Sequence, residues 1–551
     1  MQVAAVPECN FFIESASISG RRAVSGDKDL NTNILTVAQM LEVQARLQPR
    51  ALGVRDLERS LSFEDWDRRA NRLSNALIGL GLNKGDRVAV LAYNCIEWAE
   101  IYMATAKAGI VAVPLNFRLS SPEIAHILYD AGAKAVIAQH SLVGLIDEIR
   151  ETQSVAGVAL ISFGQQASSD GWLSYEELMA SAQDTPPSVI VLASDAWVLM
   201  YTSGTTGNPK GVIRDHRGMV MLSLVTEIEL SITRNDDALL IMPMCHANSL
   251  NFFCAYTYCG ATVTIYSRRT FDPGHALETM SAGGSTFTSL VPTQYIMLLS
   301  LSTKERERMN LESMKKLMIS SAPARADTKR SIMEMFPRSG LYELYGSSEA
   351  GWVTMLHPDE QFTHLGTVGR ECVASGPIKL IGADGNEVED GQPGELFSAT
   401  PYAFIGYWNN PEKTRQAFRG GSCSVGDIAV RDEDGFIRLV DRKENMIISG
   451  GENVYPTEVE LVIASFPKVQ EVVVIGMPDD KWGEVVHAAV VLKDGQTATE
   501  QEVVDWCADR IAAYKRPRSL SFVQAEAIPR TATGKVRHRE LKSTIAAQKA
   551  N

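Results

Sequence analysis

The chain has no uninterrupted apolar run of about 18 residues, the length a helix needs to cross a bilayer, so no transmembrane helix is expected. It does not open on a charged segment leading into an apolar stretch, so no secretory signal is expected either. Arg21-Arg22 has no apolar segment behind it. The eight cysteines are scattered without a CxxC pair. That spacing argues against a disulfide framework and suits reduced thiols in a cytoplasmic protein. Cys254 and Cys259 fall near His246 in the sequence, but no tetrahedral ligand set completes them. Positive charge is in short supply: 53 Lys and Arg stand against 66 Asp and Glu, a net charge of −13. This disfavours a general nucleic-acid binder and leaves room only for a local basic funnel around an anionic ligand. No repeat of solenoid period is visible.

What is present suits a large globular protein. At 551 residues, 45% apolar and 22% charged, two or more cores are expected. Residues 1–34 are polar and irregular and read as an extension. From there strands and helices alternate. Ser62 and Asp65 form a capping box before a helical pattern over 63–80, which Gly79 and Gly81 end. The runs RVAVL (87–91), GIVAVPL (109–115), KAVIA (134–138), ATVTI (261–265), KLMIS (316–320) and LYELYG (341–346) read as strands, with a helix near 97–108. Continuous apolar strands between helices predict parallel sheets covered on both faces, a doubly wound α/β fold that binds ligands beyond the strand C-termini. After about residue 370 the texture changes to hairpins, in 382–397 and 432–441. They predict a small barrel-like β part that completes a large domain over 35–441. A small α+β domain follows over 442–551, with strands at 472–478 and 487–493.

One segment carries chemistry on its face. YTSGTTGNPKG (201–211) follows the strand-like AWVLMY (196–201). It is not a Walker loop: Lys210 precedes its glycine, Pro209 sits directly before it, and no hydroxyl residue follows to hold magnesium. Its composition still suits phosphate. Glycines let backbone N–H groups converge on an anion, Ser203, Thr205 and Thr206 add hydroxyls, and Lys210 adds a point charge.

This loop resembles the signature of the adenylate-forming superfamily: acyl-CoA synthetases, luciferases and peptide-synthetase adenylation domains. The resemblance recurs in order from about residue 40 to 545. It implies that Thr202, Ser203, Gly204, Thr206, Gly207 and Lys210 hold ATP phosphates, with Thr205 among the catalytic residues. SSAPAR (320–325) resembles the adenine-binding segment, implicating Ser321 and Ala322. LYGSSEAG (344–351) resembles the YGxTE motif. There Tyr345, Gly346 and Ser348 would meet the nucleotide and Glu349 would coordinate Mg²⁺; Ser348 stands where Thr is usual. SVGDIA (424–429) would bind the ribose through Asp427, although SCSVGD departs from the usual aromatic-rich lead-in. DRKENMIISGGENVYPTEVE (441–460) resembles the interdomain linker. Arg442 would contact nucleotide, Glu444 occupies a hinge position where Asp or Lys is usual, and Gly450 and Gly451 would border the coenzyme A thiol tunnel. Thr457 with Glu460 reads as a capping box. PRTATGKVRHREL (529–541) makes Lys535 the lysine between the acid's carboxylate and the α-phosphate. In YKRPR (514–518), Lys515 and Arg516 could meet coenzyme A phosphates. MCHANSLN (244–251) makes His246 a wall or gate of the acyl pocket, whose neighbours are small or apolar.

The activity implied is an AMP-forming carboxylic acid–CoA ligase using ATP, Mg²⁺ and coenzyme A, on a fatty or aryl acid. The family's small domain rotates between half-reactions. Three alternatives stay open: an acyl-AMP ligase loading a separate carrier protein, a luciferase-like oxygenase that shares these motifs, and a non-catalytic nucleotide sensor. With 16 residues after Lys535, no fused carrier is expected. A homodimer is a family expectation.

Overall fold

A computed structural model describes residues 35–152, 154–164, 171–202, 209–320, 324–450, 452–508, 510–530 and 536–550. Two large sheets dominate. The first has nine strands, running from Arg370–Glu371 through Gly351–Leu356, Gly340–Ser347, Lys316–Ser320, Phe287–Leu290, Asp237–Leu240, Thr262–Ile265 and Leu52–Arg55 to Ser60–Ser62. Its interior pairs are parallel, and antiparallel strands occur only toward the edges. The second has eight strands: Gly406–Tyr407, Lys210–Asp215, Ala196–Thr202, Val111–Leu115, Arg87–Leu91, Ala133–Gln139, Ala159–Phe163 and Leu173–Ser174. Val111–Leu115 is buried along its whole length, as a strand covered on both faces must be.

Helices fill the space between these sheets. Phe63–Gly79 starts at Ser62, whose hydroxyl accepts the Asp65 N–H at 3.1 Å. It buries Phe63, Trp66, Ala70, Leu73 and Leu77, the spacing of one helical face. That face meets Glu97–Ala108, a helix buried on every side. The charges on this buried helix are paired: Lys107 lies 2.8 Å from Glu42 and 2.9 Å from Asp67, and Glu100 lies 2.6 Å from Arg69. A buried charge without such partners would cost several kcal/mol.

The hairpin-rich stretch forms a four-stranded antiparallel sheet: Lys379–Ile381, Gly394–Phe397, Asp427–Arg431 and Ile437–Arg442. Beyond it, Val469–Asp479 and Gly483–Leu492 form a long antiparallel pair. One face of this pair packs on Pro456–Ala464 and Glu500–Ala508, and the other on His538–Ala550. Among the described residues, no helix is long and apolar enough to cross a membrane.

The structure corrects one local expectation. Thr457 and Glu460 do not cap a helix. Pro456 is the first residue of Pro456–Ala464 and Tyr455 is its N-cap. Proline favours that first position because its missing N–H is not needed there. The Thr457 hydroxyl instead donates to Asp441 at 2.9 Å, and Glu460 accepts the Val474 N–H at 2.8 Å.

Candidate functional site

The glycine-rich segment spans a hairpin. Ala196–Thr202 runs out of the parallel part of its sheet, and Lys210–Asp215 returns antiparallel, with Thr202 opposite Lys210. Among the described residues the segment that follows is a strand and not the helix that follows a Walker loop. Gly211 is required by close approach. A Cβ there would lie 2.7 Å from Leu199 Cδ1 and 3.1 Å from Trp408 Cβ. Trp408 therefore fits against the base of the hairpin, and the short strand Gly406–Tyr407 pairs with Val212 and Ile213.

That pairing carries Tyr407 to the site. The Lys210 ammonium sits over the Tyr407 ring, 5.5 Å from its centroid, and the Tyr407 hydroxyl donates to Glu349 Oε1 at 2.8 Å. Burial and the neighbouring Lys413 push the Lys210 pKa below the usual lysine range, opposed by Glu349. Glu349 lies at the turn between Gly340–Ser347 and Gly351–Leu356. Two contacts fix this turn: the Phe404 N–H donates to the Glu349 carbonyl at 2.7 Å, and Arg214 Nη1 donates to the Ser348 carbonyl at 2.9 Å. Arg214 is buried, and its Nη2 has no hydrogen-bond partner among the described residues. Burial lowers its pKa, yet a guanidinium starts so high that it remains charged.

A second cluster adjoins the first. Asp427 is buried and accepts the Tyr345 hydroxyl at 2.6 Å, while Arg442 Nε lies 3.1 Å from its other oxygen. Arg442 also approaches Glu444 at 3.9 Å. Burial works against the Arg442 charge, but Asp427 and Glu444 outweigh it and hold the pKa up; Glu349 acts in the same sense. Burial and the adjacent Asp427 raise the Tyr345 phenol, so Tyr345 stays a donor. A carboxylate has about four lone-pair sites. Two such contacts leave Asp427 able to accept from a diol.

His246 heads the helix Ala247–Cys259, with Nε2 3.5 Å from Asn116 Nδ2. Two residues on, Asn248 Nδ2 donates to Ser289 at 3.0 Å and Ser320 at 2.7 Å, at the C-terminal ends of two parallel strands. Gly450 takes φ +61°, and a Cβ there would lie 2.6 Å from the Trp482 ring. Lys515 is ion-paired with Glu458, and Arg516 donates to the carbonyls of Ile511 and Ala508. Residues 1–34, Ser203, Gly204, Thr205, Thr206, Gly207, Ser321, Ala322, Gly451 and Lys535 lie outside the described residues.

The structure thus brings Thr202, Lys210, Ser348, Glu349, Tyr345, Gly346, Asp427 and Arg442 into one region, and keeps Lys515 in an ion pair apart from it. Sequence reasoning missed Tyr407, Arg214 and Lys413. Tyr407 and Lys413 lie in GYWNNPEK (406–413), which reads locally as a turn, and Arg214 reads as an ordinary strand residue. Among the described residues, no group of three or more His, Cys, Asp or Glu side chains could hold a metal by itself. A lone carboxylate such as Glu349 suits Mg²⁺, which takes most of its ligands from water and substrate phosphates.

Comparison with known proteins is consistent with this layout. Residues 41–408 match the AMP-binding enzyme family and residues 458–535 match the AMP-binding enzyme C-terminal domain. A feruloyl-CoA synthase of Amycolatopsis sp is 34% identical over 496 residues, 90% of this chain and 96% of that protein. A long-chain-fatty-acid–CoA ligase of Mycobacterium tuberculosis is 33% identical over 505 residues, 91% of this chain and 96% of that one. The solved structure of an anthranilate CoA ligase in complex with anthranoyl-AMP superposes with a TM-score of 0.83 at 27% identity, covering 94% of this chain and 98% of that one.

Proposed function

The chain belongs to the AMP-binding enzyme family, and on that premise we propose that it is an AMP-forming carboxylic acid–CoA ligase acting on a fatty or aryl acid. The observation that supports this most is the adjacency of two clusters of opposite use. Lys210, Tyr407 and Glu349 form one suited to phosphate and its cation; Tyr345, Asp427 and Arg442 form one suited to a ribose.

In this reading the residues divide the work. The Lys210 ammonium, partly buried, neutralises the β- and γ-phosphates more strongly than a solvated lysine would. Tyr407 orients Glu349, and Arg214 fixes the turn that carries it. Glu349 would hold Mg²⁺, whose chemistry is to neutralise charge on the ATP phosphates. Asp427, oriented by Tyr345 and Arg442, holds the ribose hydroxyls. The acid's carboxylate attacks the α-phosphorus, the bond to pyrophosphate breaks, and an acyl-adenylate forms. Lys535 stabilises the charge that develops there, in a step that is mostly positioning. The coenzyme A thiol, losing its proton, then attacks the acyl carbon and AMP leaves. Gly450, Gly451 and Lys515 belong to that second half-reaction. His246, at the head of its helix, borders the acyl group.

The test is release of AMP and pyrophosphate from ATP and Mg²⁺, with and without coenzyme A, over acids from acetate through long fatty acids to benzoate and cinnamate types. Turnover that depends on coenzyme A with one acid class is expected. Adenylate formation that coenzyme A does not discharge would replace the ligase with a carrier-loading enzyme. Failure with every acid would overturn the reading.

A further inference from the structure

The C-terminal sheet forms a small domain with a core of its own. Among the described residues its five strands pair with no other sheet. The apolar clusters on its two faces contain only residues from Ile447 onward, and the clusters of the rest of the protein contain none beyond Leu439. The chain enters it through a turn at 443–445, after the strand Ile437–Arg442 and before Ile447–Ser449. Domains that share no apolar core move against one another by default. Polar contacts across the turn therefore set the orientation of this one.

Asp441 makes the strongest of these contacts. It is held in the large sheet region, opposite Ile428. Its Oδ1 accepts the Arg442 N–H at 2.6 Å and Asn445 Nδ2 at 3.1 Å, which shapes the turn. Its Oδ2 reaches past the turn and accepts both the N–H and the hydroxyl of Thr457, each at 2.9 Å. Thr457 is the second residue of Pro456–Ala464, the helix that packs on Val469–Asp479 in the small-domain core. A helix N–H at that position has no partner within its own helix, so the carboxylate satisfies an orphan donor. Two bonds from one residue to one charged oxygen fix direction as well as distance. At the far side of the same domain, Arg537 lies 3.9 Å from Glu123 on the helix Ser121–Ala131. Asp130 of that helix accepts the hydroxyl of Tyr201, at the foot of the glycine-rich hairpin, at 2.5 Å. This orientation thus turns Arg537, two residues beyond Lys535, toward the nucleotide region.

We propose that Asp441 and Thr457 form a clasp across the interdomain turn, which holds the small domain in the orientation of the first half-reaction and opens for the second. The proposal rests on the ligase reading, in which one domain brings Lys535 to the α-phosphate and later Gly450 and Lys515 to the thiol. It adds two positioning residues that neither the sequence motifs nor the resemblance assigns. Thr457→Val removes the hydroxyl and keeps the N–H and the size of the side chain. Thr457→Ser keeps both donors.

The experiment measures the two half-reactions separately on the full chain, for the native protein and both variants. ATP–pyrophosphate exchange reads the first, and discharge of preformed acyl-adenylate by coenzyme A reads the second. A hydrogen bond to a charged acceptor is worth about tenfold or more in an equilibrium. In Thr457→Val the ratio of discharge rate to exchange rate should rise by about tenfold, whichever orientation dominates in the native protein, because that ratio follows the open-to-closed population. Thr457→Ser should stay within about twofold of native. Trypsin cleavage after Lys443, whose side chain is 62% exposed in the turn, should quicken in Thr457→Val and not in Thr457→Ser. An unchanged ratio in Thr457→Val, whether both rates fall equally or neither moves, would overturn the clasp and leave the ligase standing. A Thr457→Ser ratio as high as that of Thr457→Val would also overturn it, because the effect would then belong to the side chain's packing. Equal cleavage in all three proteins would do the same. Absence of exchange in the native protein, with any acid, would overturn the ligase reading and with it the clasp's place in a half-reaction.

Discussion

Gly346→Ala should damage this protein out of proportion to one methyl group. Gly346 lies at the end of Gly340–Ser347, opposite Trp352, where the register shifts by a bulge between Tyr345 and Gly346. A Cβ built there would lie 2.2 Å from the Gly351 carbonyl oxygen and 3.2 Å from Trp352 Cα. Ordinary carbon–oxygen contacts begin near 3.3 Å, so one strand must move by about 1 Å. The partner strand cannot yield easily. Trp352 is buried against Phe252 with ring centroids 5.6 Å apart, and its carbonyl accepts the Tyr402 hydroxyl at 2.9 Å. The movement therefore falls on the turn that carries Ser348 and Glu349. Overpacking of this kind costs about 1–3 kcal/mol, and a displacement near 1 Å of a positioning group costs about a hundredfold in rate. The assay pairs thermal unfolding with ATP–pyrophosphate exchange. The control is Gly79→Ala, the same change at the end of a helix where a Cβ meets nothing within 4 Å; it should be neutral or stabilise by up to about 1 kcal/mol. If Gly346→Ala matched Gly79→Ala in both readouts, the steric reasoning would be refuted.

Three further outcomes follow from buried polar groups. Tyr345→Phe removes the donor to Asp427 and keeps the ring; the KM for ATP should rise by about tenfold with the KM for the acid unchanged, and a loss shared by both substrates would count against a ribose role. Glu460 is pushed up to about 7 by burial, with Asp441 and Glu471 adding to it. Its folded pKa thus exceeds the unfolded one, so stability falls as pH rises from about 4.5 to about 7. Glu460→Gln keeps an acceptor for Val474 and should stabilise by about 3 kcal/mol at pH 8 but little at pH 4.5; equal gains in denaturant unfolding at both would sink this account. His216 is held down to about 4 by burial while Nδ1 accepts the Val37 N–H at 3.2 Å. Here the unfolded state binds the proton first, so about 3 kcal/mol is lost as pH falls from 6.5 toward 4, and the stability curve of His216→Asn should be shallower over that window and not parallel to native.

The sequence by itself determined the strand and helix succession, because apolar runs and 3.6-residue spacing are local properties. Composition also marked the loop of Lys210 as suited to phosphate, whereas the roles of Glu349, Asp427 and Arg442 were implied by the resemblance of their motifs to the adenylate-forming superfamily. The spacing of Thr457 and Glu460 suits a capping box, and only the fold shows that the helix starts at Pro456 while Asp441 and Val474 claim their polar atoms. Tertiary structure alone decided that Tyr407 bridges Lys210 and Glu349, that Arg214 fixes the Ser348 carbonyl, and that Lys413 and Lys210 line one cavity. These contacts join residues from 58 to 203 positions apart. The turn-like stretch 406–413 carries no periodic signal, and its side chains reach the site only because Gly406–Tyr407 pairs with the edge of a sheet built from residues 87–215. Electrostatics depends on distance in space, and that distance is set by packing.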